Sequence, residues 1–162
     1  MTVLRPDAAF LFAHPAHFVA IGFGAGLARV APGTFGTLLA FPLYWLLGRY
    51  DVSLALPGAT ALFFLVGVWA CELTGRHLGV ADHGAMVWDE VVAFLLVLAV
   101  VPAAPAWPGA AFVLFRVLDI AKPWPIRQLE RRWKNGFGVM FDDLLAAGYT
   151  LLALAMAKRI LS

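Results

Sequence analysis

The sequence predicts an all-α fold, a polytopic helical membrane protein with about four to five short membrane helices, and three observations carry that expectation. Hydrophobic residues fill 62% of the 162 positions and charged residues only 14%, well below the roughly one quarter with which a soluble domain covers itself. Between Asp51 and Glu72 run 20 consecutive uncharged residues, enough for one helix to cross a bilayer core. Between Glu90 and Arg116 run 25 more, with Pro102, Pro105 and Pro108 in their middle, so the natural parse is two helices joined by a proline-rich turn.

Taken in order, the stretch 8–28 is uncharged apart from His14 and His17, but Gly22, Gly24 and Gly26 weaken it as a helix. It reads either as a span or as an interfacial or re-entrant segment. Arg5 is offset by Asp7, and His14, Pro15 and His17 interrupt the apolar run, a poor signal peptide that is expected to be retained. Helices follow near 34–49, 53–73, 88–102, 107–121 and 142–158, the second being the strongest span. The first, which contains Pro42, and the last are short and are expected to tilt, to thin the bilayer or to continue through their polar flanks. No polar linker or charge block divides the chain, so 1–162 is expected to form a single membrane domain. The lone Cys71 sits in an apolar run and reads as a small buried hydrophobe.

Five helices alternate the connecting segments between two faces. Segments 1–33, 74–87 and 122–141 share one face, with Arg5, Arg29, Arg76, Lys122, Arg127, Arg131, Arg132 and Lys134, whereas Arg49, Lys158 and Arg159 lie on the other. By the positive-inside rule the first face is cytoplasmic. The net charge of +2 comes from scattered residues rather than a basic tail, which argues against a nucleic-acid partner. Nucleotide-binding loops are absent too: Gly22-Phe-Gly-Ala-Gly26 lacks the dinucleotide-binding spacing, and no phosphate-binding lysine loop occurs.

In so apolar a chain each ionised carboxylate needs a partner or a task. Asp82, Asp89 and Glu90 flank the start of the third expected helix, Asp119 lies near the end of the fourth, and Asp142 and Asp143 open the fifth, all on the same face. Adjacent carboxylates repel unless a cation bridges them, and clustered oxygens suit a hard ion such as Mg²⁺. Acids at helix starts also cap and complement the dipole; three converging groups favour the metal. Arg116, Asp119 and Lys122 recur at i, i+3 and i+6, a stripe that reads as a phosphate clamp or as a salt-bridged ladder. Pro32-Gly-Thr-Phe-Gly-Thr37, with Thr34 and Thr37, offers an anion-binding helix start or an ordinary turn and cap. Gly136-Phe-Gly138 allows a close approach to a ligand or simply a turn. His83 lies near the acids, and His77 reads as a solvated side chain.

Four pieces in this order, Pro32-Gly-Thr-Phe-Gly-Thr37, Gly79-Val-Ala-Asp-His-Gly84 leading to Val87-Trp-Asp-Glu90, Phe115-Arg-Val-Leu-Asp-Ile-Ala-Lys-Pro-Trp-Pro125 and Gly136-Phe-Gly-Val-Met-Phe-Asp-Asp143, resemble the phosphatidylglycerophosphatase A family. The resemblance covers about 20–150. It implies a Mg²⁺-dependent lipid phosphatase at the cytoplasmic face of a bacterial inner membrane, converting phosphatidylglycerophosphate to phosphatidylglycerol. On that basis Asp89, Glu90, Asp119, Asp142 and Asp143 are expected to hold the metal directly or through a second layer. Arg116 and Lys122 are expected to hold the phosphoryl oxygens, with Thr34 and Thr37 beside the substrate, and Asp82 to orient or deprotonate water.

A covalent route has no support, since neither a cysteine-phosphatase loop nor an aspartyl-phosphate motif occurs, and the signature of CDP-alcohol phosphotransferases is absent. The competing reading is a small membrane transporter or channel, which predicts acids near the membrane midplane rather than at helix ends. A noncatalytic scaffold explains the apolar runs but not the convergence of acids.

Overall fold

The computed structural model describes residues 5–48, 52–102 and 104–161, with backbone alone at 52–55 and 161. Every regular element among them is helical: α1 (Ala8–Ala13), α2 (Pro15–Ala20), a 3-10 segment (Gly22–Leu27), α3 (Pro32–Leu47), α4 (Val52–Leu78), α5 (Trp88–Val100), α6 (Ala106–Ala121), α7 (Ile126–Arg132) and α8 (Gly136–Leu161).

The five expected helices correspond to α3, α4, α5, α6 and α8, with two informative differences at their ends. Helix α4 continues to Leu78, carrying Arg76 in its last turn, where it pairs with Glu72 at 2.6 Å. Helix α8 begins at Gly136 rather than near 142. Its start is fixed by acceptors for otherwise orphaned amides: Asn135 Oδ1 takes the Gly138 N–H at 2.8 Å, and Glu72 Oε2 takes that of Gly136 at 2.7 Å. A Cβ at Gly136 would strike the Val68 carbonyl and lie 2.6 Å from the Glu72 amide nitrogen. Gly136 thus serves the approach of α8 to α4, whereas a Cβ at Gly138 would strike the Trp133 carbonyl, so Gly138 lets the turn after α7 close onto the start of α8.

Among the described residues two helices are long and apolar enough to cross a membrane, within Leu56–Leu78 and Gly136–Ile160. Helices α3 and α6 have 16 residues and α5 has 13. At 1.5 Å per residue these reach about 24 and about 20 Å, short of the roughly 30 Å hydrocarbon layer. By length, then, two of the described helices reach a full span, and α3, α5 and α6 are short, as expected of the others. The outward side chains are nonetheless apolar: Leu62, Leu65 and Trp69 on α4, Val113, Val117 and Ile120 on α6, Leu152, Met156 and Ile160 on α8. Continuous apolar faces of this kind suit lipid.

The segment 8–28 contains no spanning helix. An extended His14 separates α1 from α2, and Phe23 and Gly24 take left-handed φ values of 56° and 102° inside the 3-10 segment. Only the interfacial or re-entrant reading fits that chain path.

Helix α5 is the axis of the bundle, packed on α3, α4, α6 and α8. Val91, Val92, Ala93, Phe94 and Leu95 are all fully buried, as expected for a helix that is apolar all round. Because lipid is as apolar as the side chains, close packing and internal hydrogen bonds must hold the helices together. Ala70, Ala93, Ala111, Ala146 and Ala147 are buried and permit close approach, and Trp88 Nε1 donates to the Phe63 carbonyl of α4 at 3.0 Å.

The loops expected on one face do meet at one end of the bundle. A cavity is lined jointly by Val80–Asp82 and 127–142 residues, and another by Arg5, Arg29, Pro32 and His83. The Val87 amide also donates to the Ala20 carbonyl at 2.8 Å. Lys158 and Arg159 lie in the last turn of α8, while Arg49, expected with them, falls outside the described residues.

Candidate active site

Two groups of three acids form at that end, in each of which one oxygen per residue lies within 4.8 Å of the others. Asp89, Glu90 and Asp143 make the first and Asp82, Glu130 and Asp142 the second. Helix α8 feeds both, because consecutive helical residues point about 100° apart: Asp143 turns to α5 and Asp142 to the loop before it. Both aspartates are buried at 3% exposure at the end of the second turn of α8, too deep for their charge to be explained as a helix cap. Asp89 and Glu90 stand in the first turn of α5, where the helix dipole favours them.

The first group is incompletely satisfied. Asp89 Oδ1 accepts from the Glu90 amide at 3.0 Å, and Glu90 Oε1 accepts from Arg116 Nη1 at 3.3 Å. Glu90 Oε2 and Asp143 Oδ2 are buried with no hydrogen-bond partner among the described residues. Buried anionic oxygens without donors are strongly unfavourable, and a hard divalent cation among three carboxylates is the ligand chemistry that relieves them. The residues present therefore fit Mg²⁺, with Asp89, Glu90 and Asp143 as the donor set. Asp119 lies behind, accepting from Arg116 Nη1 at 2.7 Å.

Arg116 links α6 to this group, and a glycine makes room for it. A Cβ at Gly33 would fall on Glu90 Oε1 and lie 2.9 and 3.0 Å from the guanidinium nitrogens. Pro32-Gly-Thr-Phe-Gly-Thr37 is therefore not a loop ahead of a helix but the first turns of α3, packed on the acids. The Thr37 hydroxyl is buried, donates to the Gly33 carbonyl at 2.9 Å and sits 3.4 Å from Arg116 Nη1. Thr34 is half-buried and spends its amide on the Ala31 carbonyl at 2.9 Å; among the described residues no hydrogen bond joins its side chain to the acids. Gly33→Ala is expected to lower kcat/KM on the order of 10²-fold, the scale of a 1 Å misplacement, with helix content by circular dichroism unchanged.

The second group holds a cation of its own. Lys122 Nζ lies 2.6 Å from Asp142 Oδ2 and 3.0 Å from Glu130 Oε1. The stripe Arg116, Asp119, Lys122 therefore divides: Arg116 pairs with Asp119 and Glu90, while Lys122 turns away. The cause is local, since Pro123 denies Lys122 the right-handed helical region and the residue caps α6 at φ 42°, ψ 67°. Such a left-handed conformation is strained for a non-glycine residue, by about 1–3 kcal/mol, and the two carboxylates hold it. Burial alone would lower the Lys122 pKa, but Asp142 and Glu130 outweigh it and keep the ammonium above its ordinary value.

Asp82 is exposed as a residue, yet its carboxylate is drawn into the cavity wall. Loss of water there, reinforced by Glu130 and Asp119 and opposed by Lys122, raises its pKa above the usual carboxylate range. Glu130 is the site residue that the sequence reading missed. Lying in the charged run Arg127–Lys134, it resembles a solvated helix face; the only usable signal was that it is the sole acid there. His77 is exposed but bonded through Nδ1 to His17 Nε2 at 2.8 Å, away from the acids.

The acids thus gather at one end of the bundle, which disfavours a transport pathway through its middle. A family model described as phosphatidylglycerophosphatase A matches residues 18–158. A Haemophilus influenzae protein named phosphatidylglycerophosphatase A is 45% identical over 154 residues, covering 94% of each chain. An Escherichia coli protein of the same name is 40% identical over 134 residues, 82% of this chain and 77% of its own. A Bacteroides thetaiotaomicron protein named "Putative phosphatidylinositol-3-phosphatase" is 37% identical over 147 residues, 86% of this chain and 91% of its own. No solved structure matches the chain significantly.

Proposed function

The chain belongs to the phosphatidylglycerophosphatase A family, and we propose that it hydrolyses the terminal phosphomonoester of phosphatidylglycerophosphate to phosphatidylglycerol and phosphate, with Mg²⁺ as cofactor. The observation that carries the metal is the pair of unpartnered oxygens, Glu90 Oε2 and Asp143 Oδ2, in the buried Asp89, Glu90 and Asp143 group. A cation held there supplies Lewis-acid stabilisation of the charge on the phosphoryl oxygens.

The chain's own groups do the rest. Lys122, fixed by Asp142 and Glu130, offers a permanent positive charge to the phosphoryl oxygens. Arg116 holds Glu90 and Asp119 through Nη1, while its buried Nε has no partner among the described residues, so it positions those carboxylates and keeps donors for a phosphoryl oxygen. Asp82, with its raised pKa, takes the proton of the attacking water more readily than an ordinary carboxylate. Water forms the new P–O bond, the ester P–O bond breaks, and the proton taken up by Asp82 passes to the ester oxygen, which departs as a glycerol hydroxyl. Thr34 and Thr37 belong to the wall beside the site rather than to the reacting groups.

The basic loops gathered at the site's end support a cytoplasmic orientation in an inner membrane. One experiment tests chemistry and orientation together. In sealed inverted vesicles, whose cytoplasmic face is outward, impermeant EDTA is expected to stop phosphate release from phosphatidylglycerophosphate and excess Mg²⁺ to restore it; right-side-out vesicles are expected to resist EDTA. Full turnover with EDTA on both sides would remove the metal, and sensitivity only in right-side-out vesicles would invert the topology. Replacing the substrate by phosphatidylinositol 3-phosphate measures head-group choice against the activity named for the third relative.

A further inference from the structure

The acids and Lys122 account for one phosphate, but a cavity beside them carries cations that this chemistry does not use. It encloses about 580 Å³ between the loop at 80–82, α7 and the start of α8. Asp82, Glu130 and Asp142 line it together with Arg127, Arg131 and Lys134. Arg127 and Arg131 are four residues apart on α7 and so share a face. They also line an adjoining cavity of about 440 Å³, together with Lys122 and Trp124, so the arginine pair forms the ridge between the two spaces.

These cations are free for a ligand. Arg127 Nη2 donates to the Ala121 carbonyl at 3.1 Å, which leaves most of its fork open. Arg131 and Lys134 form no hydrogen bond or ion pair among the described residues, although three carboxylates line the same cavity. The aromatic neighbours fix the depth: Trp124 is 74% exposed beside the ridge, and Trp133 lines the larger cavity. Exposed tryptophan marks the head-group level of a bilayer.

Resting on the proposed phosphatase reading, we infer that Arg127 and Arg131 form a second anion subsite, which binds the uncleaved phosphodiester of a glycerophospholipid while its terminal phosphate lies at Lys122. A phosphodiester presents two anionic oxygens that match the guanidinium fork. A substrate with two phosphates joined by one glycerol needs two cationic positions at head-group depth, and Lys122 adjoins the arginine ridge through the smaller cavity. General attraction to an anionic membrane predicts no such preference among the basic residues. Arg132, on the same helix but lining neither cavity, separates the two ideas.

Binding by the full-length protein in nonionic detergent tests the subsite without turnover. Dihexanoyl phosphatidylglycerol, which carries the phosphodiester alone, and inorganic phosphate are the two calorimetric probes. R127Q/R131Q is expected to raise the Kd for the short lipid at least tenfold and that for inorganic phosphate less than twofold, with R132Q shifting neither beyond twofold. Single R131Q, which leaves the Arg127 turn contact intact, is expected to show the same direction should the double variant lose its thermal transition. Equal weakening of both probes, an equal effect of R132Q, or an unchanged lipid Kd would each overturn the subsite. Arginine-dependent lipid binding by a wild-type protein that releases no phosphate would support the subsite and overturn the hydrolytic reading.

Discussion

Asp143→Asn is expected to lower kcat/KM for phosphate release by about 10³-fold while raising, not lowering, the thermal midpoint of metal-free protein. The two effects have one cause. In the folded bundle Asp143 is buried beside Asp89 and Glu90, and its Oδ2 has no partner among the described residues. Removing one negative charge at nearly constant shape relieves repulsion among three confined carboxylates, so the fold gains. The same change replaces an ionised oxygen donor by a neutral amide and weakens the hold on a hard divalent ion. A residue kept at the expense of stability is the mark of a working site. Mg²⁺ supplies the independent measurement: at 100 times its Kd a ligand bound only by the folded state stabilises by about 2.7 kcal/mol. The wild-type midpoint is therefore expected to rise with Mg²⁺ and that of Asp143→Asn to stay level. A variant that loses midpoint in metal-free buffer and keeps its activity would make Asp143 a structural acid.

The helices were legible because a 20-residue uncharged run and a proline cluster are signals local in sequence. Their membrane lengths were less so. Nothing local distinguishes α5 as the enclosed axis of a bundle from a lipid-facing span, since both are apolar all round. The acids were legible as a set because charge is rare in this chain, but their division into two groups was not. That division depends on α8 starting six residues earlier than its apolar run suggests, which places Asp142 and Asp143 at the end of its second turn instead of at its start. Glu130 stayed hidden because its role depends on the turn at Lys122 to Pro125 folding α7 back over α8. Lys122 was legible as a site residue, but the ladder alternative misread its partner: helical spacing pointed to Asp119, whereas the left-handed backbone at Lys122 points its amine to Asp142 and Glu130.

That misreading decides how the role of Lys122 is tested. Lys122→Met leaves Asp142 and Glu130 without their cation, and breaking a fully buried pair by removing one member costs about 3–5 kcal/mol, an upper bound for this partly exposed group. A loss of activity in this variant alone is therefore ambiguous. Adding Glu130→Gln removes one of the two stranded charges without touching Asp142 or the Asp89 group. If Lys122 only neutralises acids, the double variant is expected to regain both its thermal midpoint and its turnover. If Lys122 also holds the transferring phosphoryl group, the midpoint is expected to return toward wild type while kcat/KM stays depressed by roughly 10² or more. The second outcome is the one expected here. A partly buried lysine beside two carboxylates, held in a strained conformation at the edge of a cavity that it shares with Arg127 and Arg131, is poorly explained by ion pairing alone, which an unstrained lysine on α7 could provide. Recovery of kcat/KM to within about threefold of wild type in the double variant would reduce Lys122 to the counter-ion of Asp142 and leave the phosphoryl group to the metal.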